Sequence, residues 1–147
     1  MKKLLIALIL IASLTAAALA SGMGFIDVQK VFFNFKEAKQ MQEDFGKKEK
    51  AYKEKIELKQ EELEKVKDNK EKYRDMRLKI QTELEEERDT LLQLNQQMTT
   101  ALKDKILLSV KKVARDYALD WVVDKQVMLY GGIDVTDWVV EDLNKKK

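Results

Sequence analysis

Seventy consecutive residues, Lys36 to Lys105, contain no proline and a single glycine, Gly46. They hold 18 basic side chains against 18 acidic ones. Through this charge runs a sparse apolar line: Ala38, Met41, Phe45, Tyr52, Ile56, Leu63, Val66, Tyr73, Met76, Ile80, Leu84, Leu91, Leu94, Met98 and Leu102. The steps are threes, fours and sevens, which place these residues on one face of a helix; a strand would require alternation. Ala, Leu, Glu, Lys, Gln and Met dominate, so intrinsic propensity agrees with the spacing. A seam this narrow cannot fill a globular core. It can pair with one other helix.

The nearest partner is the stretch itself, folded back. Asp68-Asn69 lies near its middle, and both residue types favour turns over helix interiors. Pairing positions whose numbers add to 139 sets Val66 against Tyr73, Leu63 against Met76, Phe45 against Leu94 and Met41 against Met98. The exceptions place Tyr52 opposite Glu87, Lys59 opposite Ile80 and Lys48 opposite Leu91. The expected form is an antiparallel helical hairpin turning between Asp68 and Lys72, with arms of about 40 residues and roughly 60 Å. The polar interruptions at Lys48, Lys59 and Glu87 are expected to thin the seam and leave the arm bendable. Leu58, Leu78 and Leu92 fall off the pairing line and are the candidates for touching a client, although isolated surface leucines are also ordinary.

At the N-terminus, Lys2 and Lys3 precede an apolar run, Leu4 to Leu14, and then small residues ending Ala18-Leu19-Ala20. A positive region, an apolar region and an A-x-A site in that order read as a signal peptide cleaved after Ala20. The alternative is an N-terminal membrane anchor, but the run falls short of the about 20 residues a span needs. Export removes Lys2 and Lys3, taking the basic count from 28 to 26 and matching the 26 acidic residues. A balanced chain has no electrostatic footprint for nucleic acid. With no cysteine no disulfide can form, so packing or assembly must hold the exported chain together.

The flanks of the rod differ from it. Gly24 to Val28 is β-prone and reads as a strand; Val31, Phe32 and Phe35 then lead into the rod at helical spacing, with Phe33 expected to be buried at its base. Trp121 to Asp124 and Val127 to Tyr130 are β-rich runs separated by Lys125-Gln126, a plausible tight hairpin. Gly131-Gly132 reads as a turn, and Asp134 or Thr136 can cap a short helix carrying Trp138, Val139 and Leu143. The expected fold is therefore mainly α with a small three-stranded β body: residues 1–20 signal, 21–35 with 106–147 body, 36–105 arm. A body of roughly fifty residues without disulfides or metal rarely stands alone. Oligomerisation through Phe25, Ile26, Val28, Trp121, Val122, Val123, Val127, Met128, Leu129 and Tyr130 is the expected remedy.

Enzyme chemistry finds little footing. Histidine and cysteine are absent, which removes the usual bases, nucleophiles and zinc ligands. Gly46-Lys47 lacks the rest of a phosphate-binding loop. Carboxylate pairs such as Glu61-Glu62 and Glu85-Glu86-Glu87 sit on a charged helix, where they solubilise. No catalytic residue, cofactor or metal is expected.

The order of parts then carries a resemblance. Phe25 to Phe32 (Phe-Ile-Asp-Val-Gln-Lys-Val-Phe), a charged helical rod, and Trp121 to Asp137 (Trp-Val-Val-Asp-Lys-Gln-Val-Met-Leu-Tyr-Gly-Gly-Ile-Asp-Val-Thr-Asp) are together similar to the Skp/OmpH family of periplasmic chaperones. The resemblance implies a homotrimer whose strands join in a central body and whose helical hairpins surround a cavity. It implies a holdase that works without ATP on unfolded outer-membrane β-barrel proteins in the periplasm of a diderm bacterium. Lipopolysaccharide and membrane contacts in the family lean on a strongly basic surface, which the balanced charge here does not provide. The rival reading is a secreted coiled-coil spacer or envelope tether without clients.

Overall fold

The computed structural model describes residues 22–145; the expected signal peptide and its cleavage site lie outside them. The chain runs β1 (Gly22–Ile26), α1 (Val28–Asn34), α2 (Lys36–Glu64), α3 (Lys70–Asp116), β2 (Leu119–Asp124), a 3-10 turn (Lys125–Val127), β3 (Ile133–Asp134) and α4 (Thr136–Asn144). It is mainly helical with a small three-stranded sheet.

The rod forms α2 and α3, which lie antiparallel. Their cross-contacts run from Glu37–Lys105 at the root to Lys55–Glu83 in the middle. Gly46 does not interrupt α2. The turn spans Lys65 to Asn69, starting three residues before the expected Asp68 to Lys72. Asn69 closes it by capping α3, its side chain accepting from the Lys72 amide at 3.0 Å. With 29 residues, α2 is about 43 Å long at 1.5 Å per residue, shorter than the expected arm.

The sheet differs most from expectation. Its order is β2-β1-β3, and both pairings are parallel. Parallel neighbours need a long crossover; between β1 and β2 that crossover is the entire arm. The first strand ends at Ile26, because Asp27 caps α1 by accepting from the Lys30 amide at 2.9 Å and Val28 is already helical. The expected hairpin of Trp121–Asp124 with Val127–Tyr130 does not form. Asp124 accepts from the Gln126 amide at 3.0 Å and turns the chain into the 3-10 segment, while β2 takes its ladder from β1. Val127 to Tyr130 is not a strand, and Leu129 and Tyr130 are 100% and 96% exposed.

One face of the sheet meets helices. Ile26 and Leu119 join Val31, Val113, Val135 and Val139 in a buried cluster, with Val122 packed against it. The register slips between Gly22 and Met23, leaving one extra residue on β2, so Leu119 and Val122 both reach this core. A second cluster of Phe35, Ala38 and Leu102 fills the arm's root. Asp134 accepts from the Thr136 amide at 2.9 Å at the start of α4, and Thr136 Oγ1 accepts from the Asp27 amide at 2.9 Å. One hydroxyl thus ties the end of β1 to α4. Tyr117 and Trp138 stack with ring centres 3.8 Å apart, fixing α4 against the end of α3.

Candidate functional site

Among the described residues, the arm and the outer face of the sheet both leave runs of apolar groups uncovered. Along the arm the seam residues Met41, Phe45, Tyr52, Ile56, Leu63, Val66, Tyr73, Met76, Ile80, Leu84, Leu91, Leu94 and Met98 are all half-buried. Two helices cannot enclose a seam that more helices would cover. Leu58, Leu78 and Leu92 stand clear of it at 60%, 59% and 59% exposure. Between Tyr52, Leu63, Ile80 and Leu84 lies a shallow apolar groove of about 280 Å³, rimmed by Arg77, Gln81, Glu85 and Arg88.

Mid-arm the seam turns polar. Lys55 Nζ lies 2.8 Å from Glu83 Oε1 and 2.7 Å from Glu87 Oε2. Lys59 lies 3.6 Å from Glu83 and 3.3 Å from Glu62. Beside them Tyr52 Oη donates to the Leu84 carbonyl at 3.1 Å. Its hydrogen bonds to Glu83 and Glu87 hold the Lys55 ammonium well above the ordinary lysine range, and Lys55 in turn holds the Glu83 carboxyl below the usual glutamate range. Spacing alone leaves Lys55 off the pairing line. Its signal was Lys55 and Lys59 one turn apart facing Glu83 and Glu87 one turn apart, a ladder readable only once the helices are in register. Of the three expected interruptions, Lys59 and Glu87 take part in cross-arm bonding and Lys48 is exposed.

On the body, alternation sends Met23, Phe25, Trp121 and Val123 to the face away from the core; Met23 pairs with Trp121, and Phe25 with Val123. Gly132, at φ +83°, lets the returning loop lie over this face: a Cβ there would come within 3.0 Å of Met128 Cε and 3.2 Å of Phe25 Cδ1. Trp121 is 65% exposed, and Met23, Val127 and Ile133 are also open. Of the residues expected to join chains, Ile26 and Val122 are used inside this one, and Val28 sits at the start of α1. Phe33, expected to be buried, is exposed and meets Phe32 edge-on.

Among the described residues no side-chain cluster is spaced to hold a metal ion, and no buried side-chain nitrogen or oxygen lacks a partner. No described helix is long and apolar enough to cross a membrane. What the geometry offers is extended weak apolar contact over a rod mounted on a sheet with one face that no helix covers. The family model described as outer membrane protein (OmpH-like) matches residues 22–143, taking in both the arm and the body. The chain belongs to the OmpH-like family. No curated relative matches it. The OmpH-like family is one of chaperones for outer-membrane proteins, not of enzymes.

Proposed function

We propose that this protein is an ATP-independent periplasmic holdase, exported by a signal peptide cleaved after Ala20, that assembles as a homotrimer and shields unfolded outer-membrane β-barrel proteins between its arms. The observation that carries the reading is the seam that stays only partly buried along the arm from Met41 to Met98. An unfolded barrel precursor presents alternating apolar side chains and unpaired strand edges, and aggregates through them. Many shallow apolar contacts suit such a client better than one shaped pocket. Contacts from three linked arms add through effective concentration, so a firm overall grip coexists with rapid exchange at each point. Leu58, Leu78 and Leu92 are the proposed contact residues on the arm.

Assembly has its own support. Purely parallel sheets are ordinarily covered on both faces, and here helices cover one. Met23, Phe25, Trp121 and Val123, with Leu129 and Tyr130 on the adjoining loop, are the proposed contact surface between chains.

The test is dilution of a urea-unfolded outer-membrane barrel protein into buffer, followed by light scattering. Suppression that saturates at three chains per client is expected, with a clear loss when Leu58, Leu78 and Leu92 are all changed to serine. A parent chain that leaves scattering unchanged makes the spacer the better account. Suppression by the triple variant equal to the parent's removes those three residues from the contact surface.

A further inference from the structure

Between Asn34, the last residue of α1, and Lys36, the first of α2, the helix breaks for one residue. Phe35 is extended (φ −79°, ψ 111°), buried, and gives α2 no side-chain cap. A helix start leaves amides without intrahelical acceptors, and a helix end leaves carbonyls without donors. At this joint one of each is taken by a single side chain from the other end of the chain. The Lys36 amide donates to Asn144 Oδ1 at 2.9 Å, and Asn144 Nδ2 donates to the Asn34 carbonyl at 2.8 Å. Asn144 thus supplies, from 108 residues away, a cap that Phe35 cannot.

The same turn of α4 holds the other arm helix. Asp142 Oδ2 accepts from Ser109 Oγ at 2.9 Å, and its second oxygen pairs with Lys112. Leu143, between the two, packs against both apolar clusters. Behind this turn α4 is anchored by Val135 and Val139, each with no exposed surface. The two arm helices also enter the body differently. One, α3, runs unbroken from the turn at Asn69 to Asp116; the other, α2, is separated from α1 by Phe35. Helix continuity therefore fixes the direction of α3 but not that of α2.

We propose that the last turn of α4 clamps the roots of both arm helices, and that Asn144 is the positioning residue that sets where α2 leaves the body. Asp142 grips α3 and Asn144 grips α2, so the angle between arm and body is held by one carboxylate and one carboxamide on a single turn. The inference rests on the holdase reading only for its consequence, the range of client sizes the arms admit. The mounting itself is testable without a client.

The experiment compares the full chain with Asn144→Ala and Asn144→Asp. Spin labels on Asp68→Cys at the arm's tip and Asp120→Cys on the body report their separation, with labelled chains diluted into unlabelled ones. Amide exchange reports Lys36. In Asn144→Ala the tip-to-body distance distribution broadens and Lys36 exchanges about fivefold faster, the factor a net hydrogen bond of ~1 kcal/mol confers. Asn144→Asp keeps an acceptor for Lys36 but loses the donor to Asn34, so Lys36 stays protected while the distribution broadens. This second variant carries the test if the alanine variant does not fold. A distribution unchanged in both variants overturns the proposal, and so does a lowered thermal midpoint without broadening, which makes Asn144 a residue of stability alone. A broadened distribution in a protein that does not suppress client aggregation keeps the clamp and removes the function proposed above.

Discussion

Gly46 sits mid-helix in α2 with nothing within 4 Å of where a Cβ would project. Glycine there confers no fit, only backbone freedom that folding must remove. Gly46→Ala is expected to raise stability by about 0.5–1 kcal/mol. Urea unfolding followed by circular dichroism would show it as a higher midpoint at unchanged slope; a lower midpoint means the helix needs the glycine. Ala118 is the opposite case, a non-glycine residue at φ 52° just after α3 ends. That left-handed position at a helix C-terminus is where glycine is usually found. Ala118→Gly is expected to be neutral or stabilising by up to about 1 kcal/mol, read by the same titration, and a clear loss would show that the methyl group packs. Neither residue announces itself in sequence: the pattern through Gly46 is helical on both sides, and nothing marks Ala118 as a stop. Phe33 shows the limit of judging burial from neighbours. It lies between buried Val31 and buried Phe35 yet faces solvent, since one turn of helix puts adjacent residues on different faces.

At the scale of the element, the arm is an apolar seam with one charged ladder across it. Lys55 has its pKa raised from 10.5, first by hydrogen bonding to Glu83, and Glu83 has its own lowered from 4.5, first by hydrogen bonding to Lys55. A depressed carboxylate contributes stability that is present above its unfolded pKa and lost as pH falls through the folded one. A raised ammonium contributes stability present below its unfolded pKa and lost as pH rises through the folded one. The ladder is therefore fully engaged between about pH 5 and 10 and weakens outside that window. Glu83→Gln should flatten the acid side of the arm's thermal midpoint against pH. An acid limb as steep as the parent's would show that other carboxylates govern it, Asp44 on the arm and Asp27, Asp134 and Asp142 in the body being the other depressed ones to examine next. Because these bonds cross between helices one turn apart, they also penalise a slip of one helix along the other. An element read from sequence as a gap in the seam is instead a cross-link, and only the register of α2 on α3 reveals it.

For the whole molecule the deciding feature is a parallel three-stranded sheet with one face on helices and the other covered only in part, by the loop around Gly132. If that helix-free face joins chains, placing a charge in it should break the assembly. Trp121→Asp is expected to shift the mass measured by sedimentation velocity to that of a single chain, with the arm's helical signal retained because Trp121 takes no part in the buried cluster. Unchanged mass would move the interface away from the sheet. The Asn144 clamp acts at the same scale, since it links the far end of the chain to the root of the arm.

Periodicity alone determined the arm: a proline-free run with apolar residues at threes and fours, rich in helix formers, has one low-energy local conformation and one narrow face to pair. The break near Asn69 and the short last helix were legible for the same reason, since capping and spacing are local, whereas the helical start at Val28, read from its β-prone neighbours as the end of a strand, was not. Tertiary structure decided what those pieces did to each other. β-Prone residues do not name their partner strand, so the ladder of β2 went to β1, about a hundred residues away, and Val127 to Tyr130 was left outside the sheet. Side chains that bridge distant segments, Lys55 to Glu83 and Asn144 to Lys36, carry no periodic signal at all. Their partners are set by distance in space, which the order of residues encodes only through the completed fold.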